Sequence, residues 1–248
     1  MIGPTTLAVD IGGTGIKASV LDRDGQKVVP RVRTKTPYPC PPRVLVRTLD
    51  RLTHELPTWE RVSVGFPGFV RHGRVLTAPN LSTRRGPGSP LSRKLVDAWA
   101  GFPLANELAS RLRAPTRLAN DADMQGLAVI SGQGLELVLT LGTGLGTSVF
   151  IEGVPTPHLE LALMPFHGKG TFQDHLGNRT RRRIGNRRWS KRVVEAVEMF
   201  DALLHFDRLY VGGGNAKKLT VDLGHRAELV DNAAGILGGI KLWEIPPD

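Results

Sequence analysis

Near the start of the chain an acid, a lysine and a cluster of glycines and a threonine fall within eight positions: Asp10-Ile11-Gly12-Gly13-Thr14-Gly15-Ile16-Lys17. A turn with so little side chain lets backbone N–H groups come close to a phosphate. The spacing is not that of a Walker A loop, which ends in Gly-Lys-Ser/Thr, and taken alone the segment reads equally well as a plain hairpin turn. Its recurrence changes the weight. Gly13-Thr14-Gly15-Ile16-Lys17-Ala18-Ser19-Val20-Leu21 reappears as Gly142-Thr143-Gly144-Leu145-Gly146-Thr147-Ser148-Val149-Phe150. Each copy follows an apolar, β-rich run (Leu7-Ala8-Val9, then Leu137-Val138-Leu139) and leads to an acidic-Gly turn (Asp24-Gly25, Glu152-Gly153). A strand–glycine turn–strand unit used twice predicts two phosphate-binding hairpins. Facing each other, they would hold a polyphosphate group from both sides. The offset that gives Asp10 in the first copy gives Leu139 in the second. Only one half then brings a carboxylate, as expected if a single Mg2+ is held.

Asn120-Asp121-Ala122-Asp123 follows an apolar run and opens a helical pattern. Asn and Asp are good N-caps, so the group reads as a helix start. It reads equally as a catalytic site in which Asp123 caps and Asp121 faces a cleft. Gly212-Gly213-Gly214-Asn215 closes a strand and serves either as part of a nucleotide pocket or as the turn the fold needs there. The chain carries 33 Lys+Arg against 23 Asp+Glu, a net charge of +10, which predicts an anionic partner. Much of the excess is concentrated in Arg179, Arg181, Arg182, Arg183, Arg187, Arg188, Lys191 and Arg192, with no acid among them. A solvated loop leading into a helix is one reading of this run. Ile184, Gly185 and Trp189 interrupt it, which favours a folded basic surface. The single Cys40 excludes an internal disulfide and a cysteine-based zinc site. His158 and His175 show no metal-ligand spacing and read as structural or exposed. No apolar run approaches the ~20 residues of a membrane span, and the N-terminus lacks a secretory pattern.

Strands at Thr6–Val9, Ile16–Leu21 and Lys27–Thr36 present the first turn, and a helix over Val44–Leu56 follows a proline-dense break at Pro37–Pro42. A strand at Arg61–Gly65 ends in Phe66-Pro67-Gly68. Residues 71–103 read as loop with a short helix at Leu95–Ala100. A helix over Leu104–Leu112 and a strand over Thr116–Ala119 lead to Asn120, and the helix from there ends near Ser131-Gly132. Ser190–His205 is strongly amphipathic, strand Leu209–Val211 follows, and Glu228–Leu242 reads as a closing helix. Strands alternating with helices give an α/β fold, each half opened by a hairpin.

Asp10–Lys17, Gly142–Gly146 and Gly212–Asn215 resemble the phosphate-1, phosphate-2 and adenosine motifs of the actin/hexokinase/Hsp70 superfamily. Within it the chain is similar to the ROK sugar kinases, and most to their polyphosphate-dependent glucokinase branch. The likeness runs through Gly65-Phe66-Pro67-Gly68, Thr77-Ala78-Pro79-Asn80, Asn120–Asp123 and Leu159-Glu160-Leu161. No helix-turn-helix precedes the first strand, so the family's repressors match poorly.

The resemblance implies an actin-like (ribonuclease H-like) ATPase fold, α/β, with two similar domains around a central cleft. The first would span residues 1–118, completed by a C-terminal helix at 226–248, and the second 119–225. It implies phosphoryl transfer from inorganic polyphosphate, with ATP as a second donor, to the 6-hydroxyl of glucose or a close hexose. Asp121 would be the general base and Asp10 the Mg2+ ligand, directly or through water. Gly12, Gly13, Thr14, Gly15, Lys17, Gly142, Thr143, Gly144 and Gly146 would bind phosphate. Gly68, Asn80, Asn120, Asp121 and Glu160 would contact the sugar, and Gly212, Gly213, Gly214 and Asn215 a nucleotide. Polyphosphate needs a track of cations, preferably arginines. The run from Arg179 to Arg192 fits, with Arg84, Arg85, Arg93 and Lys94 extending it. A cytoplasmic homodimer is implied, with no membrane partner and no call for nucleic acid. One departure stands out: the family follows its sugar-binding Glu with Gly or Ala and then His, whereas this chain has Leu163 there. His167 lies four residues further on, where it reads as a surface histidine or one reaching back. Rival readings are an ATP-dependent ROK kinase for another sugar, such as mannose or an amino sugar, and a non-catalytic sugar- or polyphosphate-binding protein.

Overall fold

The computed structural model describes residues 4–230 and 237–246, which fall into two compact units. The first holds the described residues up to Ala128 together with those from 237 onward; the second begins at Val129.

In the first unit the strands are β1 (Thr6–Ile11), β2 (Gly15–Leu21), β3 (Val32–Lys35), β4 (Arg61–Phe66), the short ribbon β5 (Val70–Arg71) and β6 (Arg74–Val75), and β7 (Thr116–Asn120). The main sheet has the order β3-β2-β1-β4-β7, antiparallel from β3 to β1 and parallel from β1 to β7. Its helices are α1 (Pro42–Thr53), α2 (Arg93–Trp99), α3 (Leu104–Leu112) and α4 (Asp121–Leu127). Strands β1 and β4 are almost continuously buried because both faces of the sheet are covered. α1 buries Leu45, Val46 and Leu49, the i, i+1, i+4 stripe expected of a helix lying on a sheet. Trp99 is fully buried, and its indole N–H donates to the Cys40 carbonyl at 2.9 Å.

The second unit repeats this plan with β8 (Leu135–Leu141), β9 (Leu145–Ile151), β10 (Val154–Pro155), β11 (Arg208–Gly212) and β12 (Ala227–Leu229). The order is β10-β9-β8-β11-β12, with the same change from antiparallel to parallel at β8. The duplication seen as a short glycine pattern therefore extends to sheet topology. Helices α5 (Phe172–Leu176), α6 (Asn178–Ile184) and α7 (Asn186–Leu204) cover it. α7 buries Trp189, Val193, Ala196, Val197 and Phe200 along one stripe.

Several boundaries differ from the expectations. The first unit extends past 118 to Ala128, because Ala119 and Asn120 pair with Gly65 and Phe66 on β4 and α4 packs on the same strand. Residues 227–229 form β12 on the second sheet, whereas the closing helix α8 (Gly238–Lys241) belongs to the first unit; 231–236, also expected to be helical, lie outside the described residues. The chain returns to the first sheet through Trp243, whose ring lies against the guanidinium groups of Arg61 and Arg117 and whose N–H donates to Ser63 Oγ at 2.8 Å.

Pairing also corrects the alignment of the two hairpins. Asp10 faces Lys17 and Ile11 faces Ile16, while Thr140 faces Gly146 and Leu141 faces Leu145. Gly12 to Gly15 lie between the last paired residues of the first hairpin, but only Gly142 to Gly144 in the second. With one residue more in the first turn, the counterpart of Asp10 is Thr140 and not Leu139, which is buried in the core. The second hairpin still brings no carboxylate; it brings a hydroxyl.

Candidate active site

The register of the parallel strands builds the first part of the site. Asp10 lies beside Gly65, and Gly65 beside Ala119. The carboxyl ends of β1, β4 and β7 thus present Asp10, the Phe66-Pro67-Gly68 turn and Asn120-Asp121 along one sheet edge, where open α/β sheets receive ligands. With ~4.8 Å between strands, Asp10 and the start of α4 stand roughly 10 Å apart.

Asp10 Oδ2 accepts from Lys17 Nζ at 3.0 Å, and both side chains remain partly exposed. The turn between them is closed by Gly12 N–H donating to Gly15 O at 2.9 Å. Thr36 Oγ1 donates to Gly12 O at 2.6 Å, and the Tyr38 hydroxyl reaches Gly13 O at 2.6 Å and Asn80 O at 3.1 Å. Tyr38 therefore ties the phosphate turn to the Asn80 loop. Burial, reinforced by Cys40, pushes its pKa up to about 12, so it stays a hydrogen-bond donor. A Cβ at Gly13 would lie 2.6 Å from the Pro87 ring, so the loop carrying Arg84 and Arg85 packs directly on the turn. Both arginines are exposed, as is Thr14. Nothing in the residue pattern singled out Thr36 or Tyr38, because their function is to hold a distant turn.

At the head of α4 the capping role falls to Asn120 and not to Asp123. The buried Asn120 side chain accepts from Ala122 N–H at 2.7 Å and donates to Gly68 O at 3.1 Å. Asp121, the next residue, is half-buried, and its Oδ1 accepts from the same Ala122 N–H at 3.0 Å. Asp123 is buried. The first unit therefore gathers Asp10, Lys17, the first glycine turn, Gly68, Asn80, Asn120 and Asp121 along one edge.

The second unit holds the second glycine turn and the basic run. Gly142 N–H donates to Gly144 O at 3.0 Å, and Asn178 N–H at the start of α6 donates to Gly142 O and Thr143 O at 3.1 and 3.2 Å. Asn215 donates its side-chain amide to Gly142 O at 2.8 Å and its backbone N–H to Leu141 O at 3.0 Å. Gly213 has φ +95°, and a Cβ there would strike the Leu141 backbone. Gly212, Gly213 and Asn215 are buried and Gly214 is exposed, so Asn215 is a strut of the phosphate turn with its amide already committed.

The basic run forms α6 and the first turns of α7, separated at Gly185 with φ +80°. Its members divide. Arg181 is held by Asn178 Oδ1 at 2.9 Å and Asn186 Oδ1 at 2.7 Å, and Arg192 by the His175 ring at 3.0 Å. Arg179, Arg182, Arg183, Arg187, Arg188 and Lys191 are exposed, and among the described residues no carboxylate forms a salt bridge with them. Because Asn178 opens α6 and is bonded to the Gly142 turn, this basic helix starts at the phosphate turn itself.

Glu160 is half-buried just before a short turn at Leu161–Leu163. Leu163 is 54% exposed. His167 does not reach back: its Nε2 lies 2.6 Å from Glu195 Oε2 on α7. The imidazole beside Glu160 is that of His158, with Nε2 3.4 Å from Oε1. Of the two readings for His158, structural or exposed, the structure gives the structural one, its side chain being 5% exposed. His175 is partly buried, between Arg192 and the Lys169 carbonyl. Among the described residues no cluster of three or more His, Cys, Asp or Glu side chains is arranged to hold a metal, and no helix is long and apolar enough to cross a membrane.

The two sheets, alike in order and direction, define the actin-like ATPase fold. The inorganic polyphosphate/ATP-glucomannokinase of Arthrobacter sp. strain KM superposes with a TM-score of 0.78 at 28% identity, covering 96% of this chain and 97% of that one. A ROK family glucokinase from Streptomyces griseus superposes at 0.72 with 18% identity, a likeness of fold, over 97% of this chain and 98% of that one. The polyphosphate glucokinase of Mycobacterium leprae (strain TN) is 28% identical over 93% of this chain and 72% of its own length, and that of Mycobacterium tuberculosis (strain ATCC 25618 / H37Rv) is 27% identical over 93% and 88%. The ROK family model matches residues 6–157. The chain belongs to the ROK family.

Proposed function

We propose that this protein is a sugar kinase that transfers a phosphoryl group from inorganic polyphosphate, and from ATP as a second donor, to the 6-hydroxyl of glucose or a close hexose. The observation that carries the reading is a half-buried carboxylate, Asp121, at the head of α4, on the same sheet edge as Asp10 and the first glycine turn. Likeness over 93% of this chain to a protein named polyphosphate glucokinase, and over 96% of it to one named polyphosphate/ATP-glucomannokinase, supports the choice of donor and sugar.

In this reading Asp121 takes the proton of the sugar hydroxyl as its oxygen forms a bond to phosphorus and the bond from phosphorus to the donor's bridging oxygen breaks. Such a transition state asks mainly for positioning and charge stabilisation. Asn120, pinned by Gly68 O and Ala122 N–H, fixes where Asp121 starts. Asn80 and Glu160 bond the sugar hydroxyls, and a carboxylate and amide so placed reject ligands that leave them unpaired. The backbone N–H groups of the two turns, with Lys17 and the hydroxyls of Thr14, Thr143 and Thr140, bind donor phosphates. Arg179, Arg182, Arg183, Arg187, Arg188 and Lys191 hold the outlying phosphates of a long chain; Arg181 and Arg192 support that surface without joining the track.

A lone carboxylate oxygen set suits Mg2+, which takes one or two carboxylates plus substrate phosphates. Asp10 would hold it, and the ion would neutralise charge on the transferring phosphate.

A coupled assay with glucose and each donor tests the proposal. Sugar phosphate should form with polyphosphate; none with either donor, from protein that binds the sugar, refutes it. The exposed Leu163 favours a second reading, an ATP-dependent kinase for mannose or an amino sugar, which a sugar panel separates.

A further inference from the structure

We infer that His158 is the positioning residue of the sugar site, orienting Glu160. The inference rests on the kinase reading above and names how the sugar end of that site is set.

Glu160 sits in a stretch with little regular structure, between the short strand β10 and the turn at Leu161–Leu163. A carboxylate there has three rotatable side-chain bonds and needs a fixed neighbour to aim it. The backbone is anchored: Thr147 Oγ1 donates to Leu159 O at 3.1 Å, Leu163 N–H to Glu160 O at 2.9 Å, and Ala162 is fully buried. Among the described residues the side chain pairs with one ionisable neighbour. His158 Nε2 lies 3.4 Å from Glu160 Oε1, its side chain 5% exposed against 29% for Glu160. An imidazole so enclosed cannot swing away into solvent, whereas the carboxylate it touches faces outward. His158 therefore acts as a rigid backstop. It stands beside Oε1, and the partly exposed carboxylate is where a pair of sugar hydroxyls would approach. The pair tightens when a hydroxyl fixes the second oxygen, as contacts in unliganded sites do on binding.

The other candidates in the following stretch of chain are otherwise engaged or unsuited. His167 is 2.6 Å from Glu195, His175 is held by Arg192 and Lys169 O, and Leu163 carries no hydrogen-bonding side chain. Among these side chains, His158 is the one placed to orient Glu160.

Because the effect runs through Glu160, it belongs to sugar binding and not to the chemical step. His158→Ala should raise the sugar KM about tenfold or more, with kcat at saturating sugar and the polyphosphate KM within twofold of wild type. His158→Gln, which restores an N–H donor near the Nε2 position, should recover most of the loss. In a Glu160→Gln background, His158→Ala should add nothing to the sugar KM. An unchanged sugar KM in His158→Ala, a matching fall in kcat, or additive losses in the double variant would overturn the inference. If the wild-type protein phosphorylates no sugar, the kinase reading falls by itself. The pairing is then read from urea unfolding of the two single variants and the double: non-additive losses uphold it, and additive ones overturn it.

Discussion

Asn120 and Asp121 are adjacent, yet the proposed reading gives them different work, and substituting each in turn separates chemistry from architecture. Asp121→Asn keeps a side-chain oxygen that can accept from Ala122 N–H, and it leaves the Asn120 cap intact. Its cost to folding should stay within ~1 kcal/mol, the size of a charge effect in a helix's first turn. The group lost is the proposed proton acceptor. A positioned general base contributes about 10²–10⁴ in rate, so the barrier should rise by roughly 3–5 kcal/mol, all of it in kcat. Asn120→Ala does the reverse. It removes a cap worth ~1 kcal/mol and strands the Gly68 carbonyl, for another ~1–3 kcal/mol, so its first effect is on stability and on where Asp121 sits. Kinetics of sugar-phosphate formation and urea unfolding, measured on the same preparations, check both halves. Asp121→Asn retaining more than about a tenth of kcat would refute the assignment, as would a loss of activity that merely follows its loss of stability.

Replacing the exposed Arg182 and Arg183 by Glu should raise the KM for long-chain polyphosphate about tenfold or more and that for ATP far less, whereas Arg181→Ala should show first as lower stability, because that guanidinium bridges Asn178 and Asn186; initial rates with each donor and melting curves distinguish the two. Glu136 is fully buried and accepts from Ser131 N–H and Oγ and Gly132 N–H, each at 2.8 Å, and from the Tyr210 hydroxyl at 2.9 Å. Glu136→Gln turns one acceptor into a donor facing donors and should cost ~1–3 kcal/mol in urea unfolding. Burial pushes the Cys40 thiol up to about 12. Cys40 should resist alkylation at pH 8 in the native protein and react freely in denaturant. Its folded pKa lies above the ordinary thiol value, so the stability it confers is complete below about pH 9 and declines as pH rises toward 12.

Much of this was legible in the residues. α3 falls on the residues its apolar spacing predicts, and the paired glycine hairpins announce a repeat that the two sheets carry through in full. Periodicity reports which face of an element is buried, and both units bury faces of ordinary kind. The sequence also placed Asp121 at the head of a helix, since Asn and Asp after an apolar strand leave few other structures. It did not choose between them for the cap: only the hydrogen bonds of Asn120 to Gly68 O and Ala122 N–H do that.

What the tertiary structure decided is which groups become neighbours. Thr140 replaces Leu139 as the counterpart of Asp10 because register is set by inter-strand pairing and not by counting along the chain. Residues 227–229 join a sheet instead of a helix because β11 offers them an open edge. Two of the clustered cations, Arg181 and Arg192, are structural because Asn178, Asn186 and His175 stand within reach. His158 lies against Glu160 although their spacing is silent about contact, since two residues outside helix and strand meet only where the surrounding core folds them together. Sequence fixes local preference and chemical type; which groups become neighbours is settled only when the chain closes on itself.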